Sequence, residues 1–293
     1  MTYRTIEVPV TGGLLAAGIW NEGAGRPVLA FHGISASHVS WRAVARALGP
    51  DRTFLAPDLR GRGGSRGLIG PFGMAQHALD GVDVLDANGI EGPVDIVGHS
   101  MGAFVAMRFA EGFPGRVRSI TLVDGGIPLP LPAGIPIDEV MRASLGPALA
   151  RLEQAYPSRE AYRDFWQAHP AFAGEWNDDV EAYVDYDLVG DAPEFRSSAS
   201  GDAVLGDAVE QGTGTVAEEP WSIVRLPITF LRAPRGLLNA EPLYAESHIV
   251  AFAAAHPRLT VVEVPDVNHY TIVMNPRGAG AVAAAIGRPR EQE

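Results

Sequence analysis

An α/β fold built on a mostly parallel sheet is the class this sequence predicts, and three observations carry it. Short apolar runs alternate with stretches of helical spacing up to about Asp124, the rhythm of parallel strands joined by right-handed helical crossovers. Pro27-Val28-Leu29-Ala30-Phe31 is apolar at every position, as befits a strand covered on both faces. Val94-Asp95-Ile96-Val97 runs directly into Gly98-His99-Ser100-Met101-Gly102 and then an Ala-rich helical stretch. That strand, sharp turn and helix lift a serine hydroxyl clear of a sheet edge.

The elements follow in order. Thr5–Val10 and Leu14–Trp20 flank the turn Thr11-Gly12-Gly13 and read as a hairpin. Beyond the buried run, Trp41–Leu48 carries Trp41, Val44, Ala45 and Leu48 on one helical face. Thr53–Ala56 reads as a strand, Arg60–Gly67 as a Gly-rich loop, Ala75–Asn88 as a helix, Val94–Val97 as a strand, Ala103–Gly112 as a helix and Ser119–Val123 as a strand. The alternation then stops. Proline-rich Ile127–Pro136 leads into a helix over Asp138–Leu145, and Gly146-Pro147 predicts a break before a second helical stretch. Ser158 suits the N-cap of a helix over Arg159–Ala168, and Asp178 with Glu181 has capping-box spacing for a helix ending near Leu188. Ser200–Glu219 returns the chain through a helix and a flexible stretch; Pro227–Ala233 and Leu259–Val264 supply the last strands, and Gly278–Ile286 closes with a helix. Roughly 100 residues thus separate two strands of one sheet, far beyond ordinary loop length. The expected organisation is a core of residues 1–126 and 221–293, with a mainly helical cap over residues 127–220 inserted above it.

Composition excludes several kinds of chemistry. No cysteine occurs among the 293 residues, which removes disulfides, thiolate nucleophiles and Cys-ligated metals. No lysine occurs either, which removes Schiff-base chemistry and the lysine-requiring phosphate loop. The net charge of −12 opposes phosphate backbones and acidic membrane surfaces, so neither nucleic acid nor membrane is expected as a partner. The only basic group is the short set Arg60, Arg62 and Arg66. No run has the length of an apolar membrane-spanning helix, and the start Met-Thr-Tyr-Arg-Thr-Ile-Glu lacks the basic-then-apolar pattern of a signal peptide. A cytoplasmic protein acting on a small molecule is expected.

Four segments in fixed order make the pattern specific: Phe31-His32-Gly33, Asp58-Leu59-Arg60-Gly61-Arg62-Gly63-Gly64-Ser65, the serine turn, and Asp266-Val267-Asn268-His269-Tyr270. Together they resemble the α/β-hydrolase superfamily over nearly the whole chain. A serine hydroxyl keeps its proton at neutral pH and needs a base to become a nucleophile. His269, just after the final strand, stands where such a fold delivers it, whereas His32 and His99 are expected to pack or hydrogen-bond within their motifs. The negative oxygen that forms when Ser100 attacks a carbonyl needs two N–H donors. One is expected from Met101, the residue after the serine, and the resemblance assigns the other to Ile34. The Asp58–Ser65 loop is expected to support the Ile34 segment.

The acid partner of His269 departs from the common pattern. The resemblance places it after the strand ending near Ala233, but that stretch reads Pro234-Arg235-Gly236-Leu237-Leu238-Asn239-Ala240-Glu241. Some members take the acid from the end of the preceding strand, where this chain has Asp124 in Val123-Asp124-Gly125-Gly126. Asp124 is preferred, with Glu241 the alternative. The resulting expectation is a serine hydrolase cleaving carboxylic esters through an acyl-enzyme, with no metal or cofactor. Thioester, lactone or carbon–carbon bond hydrolysis, perhydrolysis, and a non-catalytic ligand receptor are the other readings. Of the aromatics in residues 127–220 (Tyr156, Tyr162, Phe165, Trp166, Phe172, Trp176, Tyr183, Tyr186), about a third are expected to line a pocket for an apolar or aromatic group. Strongly anionic substrates do not suit it.

Overall fold

Strands β1 (Tyr3–Val10) and β2 (Gly13–Trp20) pair antiparallel as the predicted hairpin. The alternating part follows with β3 (Val28–Phe31), α1 (Arg42–Leu48), β4 (Phe54–Pro57), α2 (Met74–Ala87), β5 (Val94–His99), α3 (Met101–Gly112) and β6 (Val117–Val123). After the intervening segment come β9 (Ile228–Arg232), α9 (Glu246–Ala255), β10 (Leu259–Glu263), α10 (Thr271–Met274) and α11 (Pro276–Ala285). The structure, a computed structural model, describes residues 1–130 and 134–287, so the middle of the proline-rich stretch lies outside the described residues. Among those described, no helix is long and apolar enough to cross a membrane.

One sheet of eight strands runs in the order β1-β2-β4-β3-β5-β6-β9-β10, antiparallel across β1, β2 and β4 and parallel from β4 onward. Its mostly parallel character follows from the near-continuous burial of β3, β4 and β5, which only helices on both faces can provide. One face packs Leu29, Ile96 and Leu122 against α2 and α3. The other packs Val28, Val97 and Leu231 against α1 and α11. The carboxyl ends of β3, β5, β6 and β10 therefore converge on one edge, where an open parallel sheet keeps its ligand crevice.

Between β6 and β9 lie α4 (Ile137–Glu153), α5 (Arg159–Gln167), α6 (Asp178–Asp187), the short strands β7 (Leu188–Val189) and β8 (Arg196–Ser197), α7 (Gly201–Gln211) and α8 (Gly214–Ile223). Two sequence readings need correction here, and one element escapes the sequence reading altogether. Helix α4 continues through Gly146-Pro147, although an interior proline costs about 3 kcal/mol, and it packs along α7. The N-cap of α6 is Asn177, whose side chain accepts from the Asp179 and Val180 N–H groups, one residue before the proposed capping box. The β7–β8 ribbon, two residues to a strand, is too short to leave a period in the sequence.

The segment is tied to the core by polar bonds as well as by apolar packing. Helix α2 has no capping side chain at Gly73 and no acid in its first turn, so its first N–H groups need partners from elsewhere. Helix α7 supplies them: Asp207 accepts from the Gly73 N–H at 2.7 Å and Glu210 from the Met74 N–H at 3.1 Å. Asp207 also pairs with buried Arg62 at 2.6 Å and His77 at 2.9 Å. Ser198 accepts from the Gly63 N–H, and the Tyr186 hydroxyl donates to Asp58 at 2.7 Å. All of these tethers hold the Asp58–Ser65 loop or the start of α2.

Candidate active site

Ser100 stands between β5 and α3 at φ 54°, ψ −122°, a conformation that costs a residue with a side chain about 1–3 kcal/mol and persists only where its surroundings enforce it. Its N–H donates to the Val123 carbonyl at 2.9 Å. A β-carbon on Gly98 would collide with the Gly102 carbonyl, and one on Gly102 with the Phe31 carbonyl. Only glycine at both places lets strand, turn and helix close so tightly.

His269 lies between β10 and α10 and is buried, with its Nδ1 2.7 Å from Asp124 Oδ2. A carboxylate only accepts, so Nδ1 carries the hydrogen, and in the neutral ring Nε2 holds the lone pair. Asp124 ends β6 at φ 45° and is fully buried. Its Oδ1 accepts from the Ala233 N–H at 3.1 Å, and its own N–H donates to the Leu231 carbonyl at 2.8 Å. With both oxygens engaged, the carboxylate has one orientation. Glu241 is exposed and makes no contact with His269 among the described residues. At the vacant place Asn239 is a neutral junction, accepting from Arg235 Nε at 2.7 Å and from Asn268 Nδ2 at 3.3 Å.

The segment around Ile34 is oriented from behind. The Leu59 N–H donates to His32 Nε2 at 2.9 Å, so His32 is neutral with its hydrogen on Nδ1, which donates to the Gly33 carbonyl at 2.7 Å. The Gly33 carbonyl and the Ile34 N–H belong to one trans peptide and point in opposite directions. Holding the first on His32 therefore turns the second away from it. Arg62 Nε donates to the Ile34 carbonyl at 2.8 Å and fixes the next peptide. The Met101 N–H opens α3, whose dipole favours negative charge there. Among the described residues, neither the Ile34 nor the Met101 N–H has an intramolecular acceptor.

Two more imidazoles shape the site without charge. His99 Nε2 donates to the His269 carbonyl at 2.8 Å, and its ring lies 4.8 Å from that of His269. Burial, followed by the neighbouring His269, pushes His99 well below the ordinary histidine value, and burial pulls His32 down to about 4. Asp58, by contrast, is held at about 2: burial pushes it up, but the His38 charge and hydrogen bond pull it down further. The histidine shifts have a definite sign. Below an unfolded value near 6.5 the unfolded chain takes up protons that folded His32 and His99 refuse, so stability present at neutral pH falls with acidification. His32 alone loses about 2–3 kcal/mol between pH 7.5 and pH 4.5. Urea midpoints measured across that range are expected to fall steadily as pH drops; a flat profile contradicts the neutral assignment.

Ser100 and His269 face one cavity of about 380 Å³, the size of a small-molecule site. Gly33, Ile34, Leu129, Val140, Leu243 and Met274 are among the residues that line it. Of the eight aromatics named above, only Tyr183 lines it among the described residues, fewer than the third expected from the sequence, while others such as Tyr186, Trp166 and Phe172 pack the segment onto the core. The core supplies the second phenol, Tyr270, immediately after His269. Among the described residues no group of three or more histidine or acidic side chains could hold a metal ion. A hydroxyl and an imidazole on one cavity, with the Ile34 N–H on its lining and the Met101 N–H directly after Ser100, form a set able to move a proton and hold a negative oxygen.

A mostly parallel sheet with a strained serine turn at its carboxyl edge defines the class. The chain belongs to the α/β-hydrolase fold family, whose model, the alpha/beta hydrolase fold, matches residues 26–190, more than half of its length. Lipase LipV of Mycobacterium tuberculosis is 35% identical over 131 residues, 44% of this chain and 49% of that protein. The 2-hydroxy-6-oxo-2,4-heptadienoate hydrolase of Pseudomonas putida is 32% identical over 118 residues, 39% of this chain and 42% of that protein. The chain thus spans less than half the length of the curated relatives it matches. The solved structure of E-2-(acetamidomethylene)succinate hydrolase shares the fold at TM-score 0.78 and 20% identity, over 97% of this chain and 98% of that one.

Proposed function

We propose that this protein is a serine hydrolase that cleaves carboxylic esters of small to medium size through an acyl-enzyme. The observation that carries the reading is the 2.7 Å contact of His269 Nδ1 with Asp124, with Ser100 and His269 on the same cavity. His269 Nε2 takes the Ser100 proton as Oγ attacks the substrate carbonyl, and the Ile34 and Met101 N–H groups hold the resulting negative oxygen. Collapse expels the alcohol, which receives the proton from His269. Water then attacks the acyl-serine, gives its proton to His269, and releases the acid as Ser100 recovers its hydrogen. No step calls for a metal or cofactor. Residues 127–220 act as a cap over the site, and the setting is cytoplasmic, with a small-molecule ester as the partner.

Carbon–carbon bond cleavage is the second reading, because the Pseudomonas putida relative is named for an oxo-dienoate substrate and a hydrolase fold does not select the bond. A ligand receptor without turnover draws its support from the vacant acid position alone, and the Asp124 contact with His269 favours the enzyme reading. A panel of p-nitrophenyl acetate, butyrate and octanoate tests the ester reading. The natural protein is expected to exceed Ser100→Ala by at least about 10³-fold on one of the three. Equal rates on all of them reject it.

A further inference from the structure

The cavity is unevenly furnished. Leu129, Pro130, Leu237 and Leu243 make its apolar walls, while Tyr183 and Tyr270 also line it, and neither hydroxyl has a hydrogen-bond partner among the described residues. Burial raises both phenols above their ordinary range, so each keeps its hydrogen and is a donor at neutral pH. Behind them, the Trp166 ring packs edge-on against Tyr183 at 6.0 Å and Tyr270 at 6.2 Å. The Arg151 guanidinium lies 5.0 Å over that same Trp166. Arg151 is buried; Nη1 bonds Asp187 at 2.7 Å and the Tyr162 hydroxyl at 2.6 Å, while Nη2 has no partner. A buried polar group without a partner is costly, and two unused phenol donors on one cavity call for an acceptor that the protein does not provide.

Two features say what that acceptor is. Asp187 already neutralises Arg151, so the wall offers donors without net charge, and a buried carboxylate there would lack a counter-ion. A neutral carbonyl oxygen suits it. Tyr270 follows His269 in the chain, its ring edge-on to the imidazole at 5.7 Å, and His269 must hand its proton to the departing group. The polar wall therefore lies on the leaving-group side. Resting on the serine-hydrolase reading, we propose that Tyr183 and Tyr270 form a subsite for a neutral carbonyl carried on the leaving group of the substrate.

Three acetate esters separate this from its rivals: those of n-pentanol, of 5-hydroxypentan-2-one and of 4-hydroxybutanoate. All pass through the same acetyl-enzyme, so differences in kcat/KM report the leaving group alone. The ketone ester is expected to exceed the pentyl ester by about tenfold, the equivalent of roughly 1.4 kcal/mol, with the carboxylate ester below the ketone ester. Tyr183→Phe and Tyr270→Phe, which keep ring and volume, are each expected to bring the ketone-to-pentyl ratio toward one. A ratio of one in the natural protein, a ratio that neither substitution changes, or a carboxylate ester that outranks the ketone overturns the subsite while leaving the hydrolase reading in place. Acetate release from none of the three above the Ser100→Ala background overturns both.

Discussion

Asp124→Asn is expected to lower kcat by about 10⁴-fold while leaving the fold intact, because it reverses the hydrogen placement on His269. The Ala233 N–H holds one side-chain oxygen of residue 124 and His269 Nδ1 the other. An asparagine meets the Ala233 donor with its carbonyl oxygen and so presents its NH₂ to Nδ1. A donor facing Nδ1 drives the imidazole hydrogen onto Nε2, and an Nε2 that carries a hydrogen cannot take one from Ser100. Glu241→Gln is the control: that side chain is exposed, and its substitution is expected to change kcat by less than about twofold, as surface changes away from a site do. Steady-state rates on the best ester of the panel, with thermal unfolding alongside, check both. The reverse ranking would move the acid to Glu241.

Removing the base itself has the second large effect, and its lack of additivity is the informative part. His269→Ala is expected to cost about 10⁵-fold or more in kcat, and adding Ser100→Ala is expected to cost almost nothing further, since the proposed mechanism makes nucleophile and base one unit. What survives in the double variant is the contribution of binding and of the Ile34 and Met101 N–H groups. Costs that multiplied in the double variant would mean that Ser100 and His269 work independently.

The fold was legible because its physical signals are local. Runs such as Val28–Phe31 are buried at every position and read as such. The serine turn announces itself because both of its glycines answer to space that nothing larger can occupy. Element ends drifted by a residue or two, as at β5 and β6, where the ladder continues through His99 and starts at Val117 without a change in polarity to mark it. The β7–β8 ribbon and the continuity of α4 stayed hidden, since pairing and helix packing between distant segments decide them.

The candidate site was legible in a different measure. Ser100 and His269 sit in motifs that a single sequence displays, and Asp124 could be argued from its place at a strand end, although 145 positions separate it from the histidine it meets. The supports could not be read. That Arg62 holds the Ile34 carbonyl, that Asp207 pairs with Arg62, and that Tyr183 rather than its aromatic neighbours reaches the cavity depend on contacts that leave no periodic trace. Tyr270 stood beside His269 in a quoted motif, and its nearness to the base was the one signal that could have drawn it into the pocket.

Covalent acylation of Ser100 is the step on which the proposed mechanism turns, and intact mass followed by peptide mapping of quenched protein reports it. Mixed with p-nitrophenyl butyrate and quenched in acid within the first turnover, the natural protein is predicted to gain the mass of one butyryl group on the peptide that carries Ser100, with no gain in Ser100→Ala. Full turnover of the ester without any acyl adduct, or with the adduct on another residue, would contradict the account.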